Sequence, residues 1–189
     1  MKKKPKIVDK KVIAQGKWLS INELSWKDSE GRNRSWESSG RVNGSGAVMI
    51  IAVIKQSDEL VLVKQFRPPT NQFVIEFPAG LIDDGESPAI TAERELYEET
   101  GYHGKIIEIS QPAYNSPGMS GEQLIIVKME LDVEHFNDGP PESCQEESED
   151  IETILVKRSE LKDFLKREVA AGSGMDSKLW SYTEAINLL

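Results

Sequence analysis

Two nearly continuous apolar runs lie near the middle of the chain, AVMIIAVIK at residues 47–55 and ELVLVKQF at residues 59–66. The polar stretch QSD between them is typical of a turn. Apolar runs of this length, rich in β-branched residues, predict strands that are buried on both faces. A third run, QFVIEFPAG at residues 72–80, predicts a further strand that carries the chain to Gly80.

The second half of the chain predicts further strands and two helices. KIIEIS, EQLIIVKMEL and IETILV predict three more strands, with the acidic, proline-bearing NDGPPESCQEESED as a long loop before the last. KRSELKDFLKREVAAG and KLWSYTEAINLL predict helices, the first with Leu161, Phe164 and Leu165 on its buried side. The expected architecture is a mixed sheet with helices on its faces.

The N-terminal part of the chain carries weaker strand signals. KWLSINELSW and NRSWES flank the polar KDSEGR, which predicts a β-hairpin with Trp18 and Trp36 on its two strands. Such a hairpin is marginally stable alone. The basic start, MKKKPKIVDKK, predicts a frayed and solvated terminus. We therefore expect an N-terminal β region over residues 1–45 and a main domain over residues 46–189.

The composition narrows the classes of partner. The net charge is −9, so the chain lacks the basic stripe that binding to a phosphate backbone requires, and we expect no nucleic-acid partner. No apolar run approaches the roughly 20 residues that span a bilayer, so we expect no membrane partner. The single cysteine, Cys144, and a start without a secretory signal predict a protein of the reducing cytoplasm.

Seven carboxylates crowd into the segment GLIDDGESPAITAERELYEETGY, residues 80–102. Ser87-Pro88 predicts a helix start, and Gly101 predicts its end. On that helix Glu95, Glu98 and Glu99 share one face, where like charges repel. A hard divalent cation would remove this repulsion and needs oxygen ligands of this kind. A solvated acidic face is the alternative interpretation of the same pattern.

The spacing of this segment resembles the signature of the Nudix hydrolases at every specified position: Gly80, Glu86, Arg94-Glu95-Leu96, Glu98-Glu99 and Gly101-Tyr102. The resemblance implies an α+β protein with the Nudix α/β/α sandwich. It also implies hydrolysis of a nucleoside-linked pyrophosphate with two or three Mg²⁺ ions, for which Mn²⁺ can substitute. The implied metal ligands are the side chains of Glu95, Glu98 and Glu99 and the carbonyl of Ala79, with Glu98 also catalytic. For Arg94 we favour a structural salt bridge over substrate contact.

Further motifs, GKW, SWES, VKQFRPP, IEFPAGLIDDGE and SPGMSGE, resemble the branch of the family that hydrolyses ADP-ribose and other nucleoside diphosphate sugars. This resemblance runs from about residue 16 to residue 154. It implies a set of substrate-binding residues: Trp18 and Trp36 on the adenine, Glu37 on the base edge, Arg41 and Arg67 on the phosphates, and Met119 on the sugar side. From the residues alone, packing tryptophans and a surface arginine remain alternatives.

The acidic stretch QEESEDIE, which leads into the strand IETILV, provides candidates for a general base. The resemblance implies a catalytic glutamate in this loop, and alignment on the following strand selects Glu149. Glu147 is the close competitor, and a solvated loop is the alternative. A carboxylate here would activate water for attack on phosphorus.

Taken together, these residues predict a Mg²⁺-dependent hydrolase that splits ADP-ribose or a related nucleoside diphosphate sugar into a nucleoside monophosphate and a sugar phosphate. Nucleoside triphosphates or dinucleoside polyphosphates are alternative substrates, and a non-catalytic sensor of ADP-ribose is an alternative of another class. The hairpin bears several large apolar residues but is too short to enclose a core. We therefore expect a homodimer with an exchanged N-terminal region, as the resemblance also implies.

Overall fold

A computed structural model describes residues 3–43, 46–131, 141–145 and 150–187. Three α-helices lie within these ranges: α1 (Pro88–Thr100), α2 (Leu161–Ala170) and α3 (Ser177–Ile186). The strands are β1 (Lys6–Gln15), β2 (Leu19–Lys27), β3 (Asn33–Arg41), β4 (Ala47–Ile54), β5 (Glu59–Arg67), β6 (Gln72–Glu76), β7 (Ala79–Leu81), β8 (Lys105–Ile109), β9 (Ala113–Tyr114), β10 (Gln123–Leu131), β11 (Ile151–Lys157) and β12 (Gly174–Met175).

The first three strands form a separate antiparallel sheet in the order β1-β2-β3. The predicted hairpin is present as β2 and β3, but the prediction of a frayed terminus was wrong, because Lys6–Gln15 pairs along β2. All ten side chains of β1 are exposed, so backbone hydrogen bonds rather than burial hold this strand. The prediction that Trp18 lies on a strand was also wrong, since Trp18 directly precedes β2.

The remaining nine strands form one mixed sheet with the central order β12-β6-β5-β4-β10-β8. β10 runs parallel to β4, whereas β5 runs antiparallel to β4, β6 and β11. The short strand β7 pairs with the start of β4, and this pairing carries Ala79 and Gly80 to the edge of the central strands. The predicted mixed sheet is thereby confirmed.

Helices cover both faces of the large sheet, which confirms the predicted α/β/α sandwich. Successive residues of a strand point to opposite faces, so Val48 and Ile50 of β4 share one face, where they pack in one cluster with Leu96 of α1. On the other face, Met49 packs in one cluster with Leu165 of α2 and Leu179 of α3. The near-continuous apolar pattern of β4 therefore follows from burial on both faces.

Helix α1 begins and ends where its sequence signals predict. The Ser87 side chain accepts a hydrogen bond from the Ile90 amide, and Pro88 takes the first helical position. Gly101 ends the helix in the left-handed conformation, with φ of 73°. Within the described ranges, no helix combines the length and the apolar character that crossing a membrane would need.

Candidate active site

Two carboxylates of α1 and one that precedes the helix converge on a single guanidinium group. Arg94 donates to Glu95 Oε1 and to Glu98 Oε2, both at 2.9 Å. Its other nitrogens donate to the two oxygens of Glu86, at 3.0 and 3.1 Å. The pKa of Arg94 is raised by these bonds, that to Glu86 first, and the pKa of Glu86 is lowered by Arg94. This confirms the predicted structural salt bridge and explains how the crowded carboxylates are tolerated.

Glu99 and Glu95 are also fixed against strand β7. Glu99 is buried, and its Oε2 accepts a hydrogen bond of 3.1 Å from the Ala79 amide. A β-carbon added to Gly80 would lie 1.8 Å from the carboxyl carbon of Glu95, so only glycine leaves room for that carboxylate. The backbone of β7 therefore sets the position of two of the three carboxylates.

The chemistry of this donor set suits a hard cation. Glu95, Glu98, Glu99 and the Ala79 carbonyl are all oxygen donors, which Mg²⁺ prefers. Among the residues that the structure describes, however, no group of three or more acidic, histidine or cysteine side chains is arranged to hold a metal ion. Two of the carboxylates are instead paired with Arg94. Arg94 thus holds Glu95 and Glu98 on the same face of α1.

Three cavities meet at Arg41, the last residue of β3. The central cleft, of about 550 Å³, is lined by Arg41, Arg67, Ala79, Gly80 and Lys178, among others. The sheet cavity, of about 510 Å³, lies between the small sheet and residues 113–122 and is lined by Trp36 and Met119. The loop cleft, of about 550 Å³, is lined by Trp18 and by Leu81–Asp84. Arg41 belongs to the wall of all three.

Both predicted phosphate-binding arginines point to the central cleft, and each has a carboxylate partner there. Arg67 donates from Nε and Nη2 to the two oxygens of Glu76, at 2.7 and 2.8 Å. These bonds, and secondarily the charges of Glu99 and Asp176, raise the pKa of Arg67. Arg41 pairs with Glu122. A guanidinium has five N–H donors, so both arginines retain donors for a ligand while their partners fix their orientation.

The two predicted stacking tryptophans do not face each other within one chain. Trp18 is 65% exposed and lies in the loop cleft, where Lys17 Nζ is 4.5 Å from the ring centroid. Trp36 is 52% exposed and lies in the sheet cavity, where its indole N–H donates to the Gly118 carbonyl at 3.1 Å. The two rings therefore cannot sandwich one base inside a single chain in this arrangement.

Met119 and Glu37 have different relations to the sheet cavity. Met119 lines the cavity, and its carbonyl accepts a 2.8 Å hydrogen bond from the Ser39 amide. Glu37 pairs with Glu23 across β2 and β3, and as the neighbour of Trp36 its side chain points to the opposite face of the sheet. The structure thus brings Met119 to the cavity and leaves Glu37 on the other face.

Comparison with known protein families leads to the same conclusion as the geometry. Residues 45–173 match the sequence model of the Nudix domain. The chain belongs to the Nudix hydrolase family. This confirms the resemblance that the signature at residues 80–102 predicts, and the carboxylate helix α1 lies within the matched residues.

Named relatives of this Nudix protein cover most of its length. It is 36% identical to the ADP-ribose pyrophosphatase of Saccharomyces cerevisiae over 178 residues, which are 90% of this chain and 77% of the yeast protein. It is 32% identical to the ADP-sugar pyrophosphatase of Mus musculus over 191 residues, covering 95% and 86% of the two chains. A crystal structure of an ADP compounds hydrolase superposes with a TM-score of 0.69 at 24% identity, covering 88% and 85%, and shows the same fold.

The predicted general base of this Nudix protein, Glu149, lies outside the described residues, as does its competitor Glu147. The residues that flank them do contact α1. The Cys144 amide donates to the Glu98 carbonyl at 3.0 Å, and the Thr153 hydroxyl donates to the Glu99 carbonyl at 3.4 Å. Described residues on either side of these two glutamates therefore contact the carboxylate helix.

Sequence reasoning missed one charged group of the central cleft, the Lys178–Asp176 pair at the start of α3. Lys178 Nζ lies 2.7 Å from Asp176 Oδ2, and the other oxygen of Asp176 caps the helix. The aspartate before a helical run was a readable capping signal. Nothing in the sequence pattern indicated that this helix start lies next to Arg67, because the two are more than a hundred residues apart in the chain.

Proposed function

We propose that this Nudix protein hydrolyses the pyrophosphate bond of ADP-ribose or a related nucleoside diphosphate sugar, in a Mg²⁺-dependent reaction that yields a nucleoside monophosphate and a sugar phosphate. One observation carries the proposal: Arg41 and Arg67 share a cleft with Ala79 and Gly80, against which Glu95 and Glu99 are held. Cations for a diphosphate thus line the same cleft as Ala79, one of the proposed metal ligands, with two further ligands directly behind it. The names of the yeast and mouse relatives support the substrate class.

In this proposal the chain positions the diphosphate between two kinds of group. Arg41 and Arg67 bind phosphate oxygens with their remaining N–H donors, while Glu122 and Glu76 hold them in place. Glu95, Glu98, Glu99 and the Ala79 carbonyl hold the metal ions. A bound Mg²⁺ supplies charge neutralisation of the phosphates and a lowered pKa for a bound water.

Water activation is proposed for a glutamate of the 146–149 segment. We assign the general base to Glu149, with Glu147 as the alternative, because the flanks of the segment contact the backbone of Glu98 and Glu99. A carboxylate there would accept the proton of the attacking water, and proton transfer of this kind contributes about 10²–10⁴-fold to a rate.

Two alternatives are less well supported. A Nudix hydrolase of nucleoside triphosphates or dinucleoside polyphosphates would not explain two exposed tryptophans on cavities that join at Arg41. A sensor that only binds ADP-ribose would have no need of Glu95, Glu98 and Glu99 together, and all three carboxylates are present on one face of α1. The hydrolase of nucleoside diphosphate sugars accounts for both features.

A substrate panel tests this function directly. With Mg²⁺, ADP-ribose and other ADP-sugars are expected to be cleaved with a kcat/KM at least about tenfold above that for ATP or diadenosine polyphosphates, a difference of about 1.4 kcal/mol in transition-state binding. The measurement is product release by chromatography, with chelator added as the control. Preferred cleavage of a triphosphate would contradict the proposed substrate, and binding of ADP-ribose without turnover would favour the sensor.

We further propose that residues 1–45 act as a dimerisation and base-binding region of a homodimer, beside the catalytic region of residues 46–189. Eight large apolar side chains of this region are about half exposed or more: Ile7, Val8, Val12, Ile13, Trp18, Leu19, Ile21 and Trp36. An exposed apolar surface of this kind favours a protein partner, and a second copy in an exchanged arrangement is the simplest one. A tryptophan from the partner would then complete the stack that one chain does not form.

A mixing experiment tests the shared site. Glu99→Gln protein, which lacks a metal ligand, is mixed and refolded with Trp36→Ala protein and assayed at low substrate concentration. If Trp36 acts in the partner's site, half the sites of each mixed dimer are intact, and up to about a quarter of wild-type activity returns. The parallel mixture of Glu99→Gln with Trp18→Ala shows which of the two tryptophans acts in the site of the partner subunit. A monomer by light scattering at micromolar concentration would contradict the dimer, and a dimer without recovery would contradict only the shared site.

A further inference from the structure

Helix α3 lies beyond residues 45–173, the part of the chain that matches the family domain, yet its first turn reaches the central cleft. The approach is fixed by backbone pairing: Gly174 and Met175 of β12 pair with Val74 and Ile75 of β6. The Asp176 amide then donates to the Ile75 carbonyl at 3.0 Å. The sheet edge therefore determines where α3 begins.

The start of α3 holds one lysine in a defined place. Asp176 Oδ1 accepts hydrogen bonds from the amides of Lys178 and Leu179, at 2.7 and 3.4 Å, which caps the helix. Asp176 Oδ2 accepts from Lys178 Nζ at 2.7 Å. One carboxylate thus caps the helix and restrains the lysine that follows it, so less side-chain entropy is lost when Lys178 binds a ligand.

The ammonium group of Lys178 has donors to spare. Nζ has two oxygen partners among the described residues, Asp176 and, at 3.5 Å, Asn115 Oδ1. An ammonium carries three N–H donors, so at least one remains for a ligand. The side chain is 32% exposed and forms part of the wall of the cleft that Arg67 and Ala79 also line.

We propose that Lys178 is a third cation that binds the diphosphate of the substrate, in the cleft whose wall also includes Arg67 and Ala79. This inference rests on the proposed function and names a further binding residue for the same site. A compact ammonium suits a single phosphate oxygen, whereas the arginine forks suit two. The start of α3 lies near Arg67, since both line the central cleft and the charge of Asp176 contributes to the raised pKa of Arg67.

The test measures binding of α,β-methylene-ADP, a diphosphate that resists cleavage between its phosphates, by calorimetry with Mg²⁺ present. Lys178→Gln is expected to raise the dissociation constant about tenfold, which is the typical scale for loss of one hydrogen bond to a charged group. Lys178→Arg, which keeps the charge, is expected to stay within about threefold of wild type. Adenosine, which has no phosphate, is expected to bind all variants alike, whereas a structural defect would weaken both ligands.

The matched control is Lys162→Gln. Lys162 lies on α2, is 33% exposed, and pairs with Glu184 at 3.0 Å, so it has similar exposure and one carboxylate partner but lies outside the central cleft. Its change is expected to alter diphosphate binding less than twofold. Lys178→Gln within twofold of wild type, or equal losses for diphosphate and adenosine, would overturn the role of Lys178. Wild-type protein that binds no diphosphate would instead overturn the proposed function itself.

Discussion

Replacing Glu99 by glutamine is expected to lower kcat at least about 1,000-fold while the protein remains folded. The amide keeps the volume of the side chain and keeps an oxygen that accepts the hydrogen bond from the Ala79 amide. It removes the negative charge that a metal ligand needs. Loss of a metal interaction that stabilises the transition state costs several kcal/mol, and each 1.36 kcal/mol is tenfold in rate. The same change at Glu95 is expected to have a comparable effect.

The matched control for these variants is Glu93→Gln on the same helix. Glu93 is exposed and lies off the face that carries Glu95, Glu98 and Glu99, so its variant has the same change of charge without the loss of a ligand. It should retain wild-type kcat within about twofold. Steady-state kinetics with ADP-ribose and thermal unfolding decide the outcome. Turnover within tenfold of wild type in Glu99→Gln would remove Glu99 from the metal site.

Elements whose pattern reflects burial were predictable from the sequence. The apolar run of β4 is buried in a core cluster on each face of the sheet. The start and end of α1 are set by Ser87, Pro88 and Gly101, which act within the helix itself. β1 was missed because it is exposed along its whole length and is held by backbone pairing, which leaves no hydrophobic period to detect. Exposed strands of this kind carry little signal of their own.

The composition of the site was only partly predictable, for a related physical reason. The carboxylates of α1 are close in sequence, so helical spacing alone brings them to one face. The partners that orient the cleft arginines come from other elements: Glu122 for Arg41 and Glu76 of β6 for Arg67. Such pairs between elements depend on how the strands are arranged in the sheet, which local spacing does not encode. The position of Glu37 on the face opposite Trp36, by contrast, follows from the local alternation of side chains along a strand.

Gly80→Ala is expected to lower kcat about 100-fold and to leave the stability of the fold nearly unchanged. The added β-carbon would lie 1.8–2.4 Å from the carboxyl carbon and oxygens of Glu95, far inside van der Waals contact. Those atoms form the end of a flexible side chain, so the clash is relieved by rotating Glu95 away and the core does not have to move. The displaced carboxylate can no longer serve the site, and misplacement of about 1 Å costs roughly 10²-fold.

A double-mutant cycle separates this mechanism from a general disturbance of β7. If Gly80→Ala acts only by displacing Glu95, then adding it to Glu95→Ala should lower kcat by less than about twofold, because no carboxylate remains to be displaced. The coupling between the two changes should then nearly equal the full effect of Gly80→Ala alone. Additive losses would mean that alanine disturbs the β7 backbone, through the hydrogen bond between Ala79 and Glu99, and that the role of Gly80 is not to make room for Glu95.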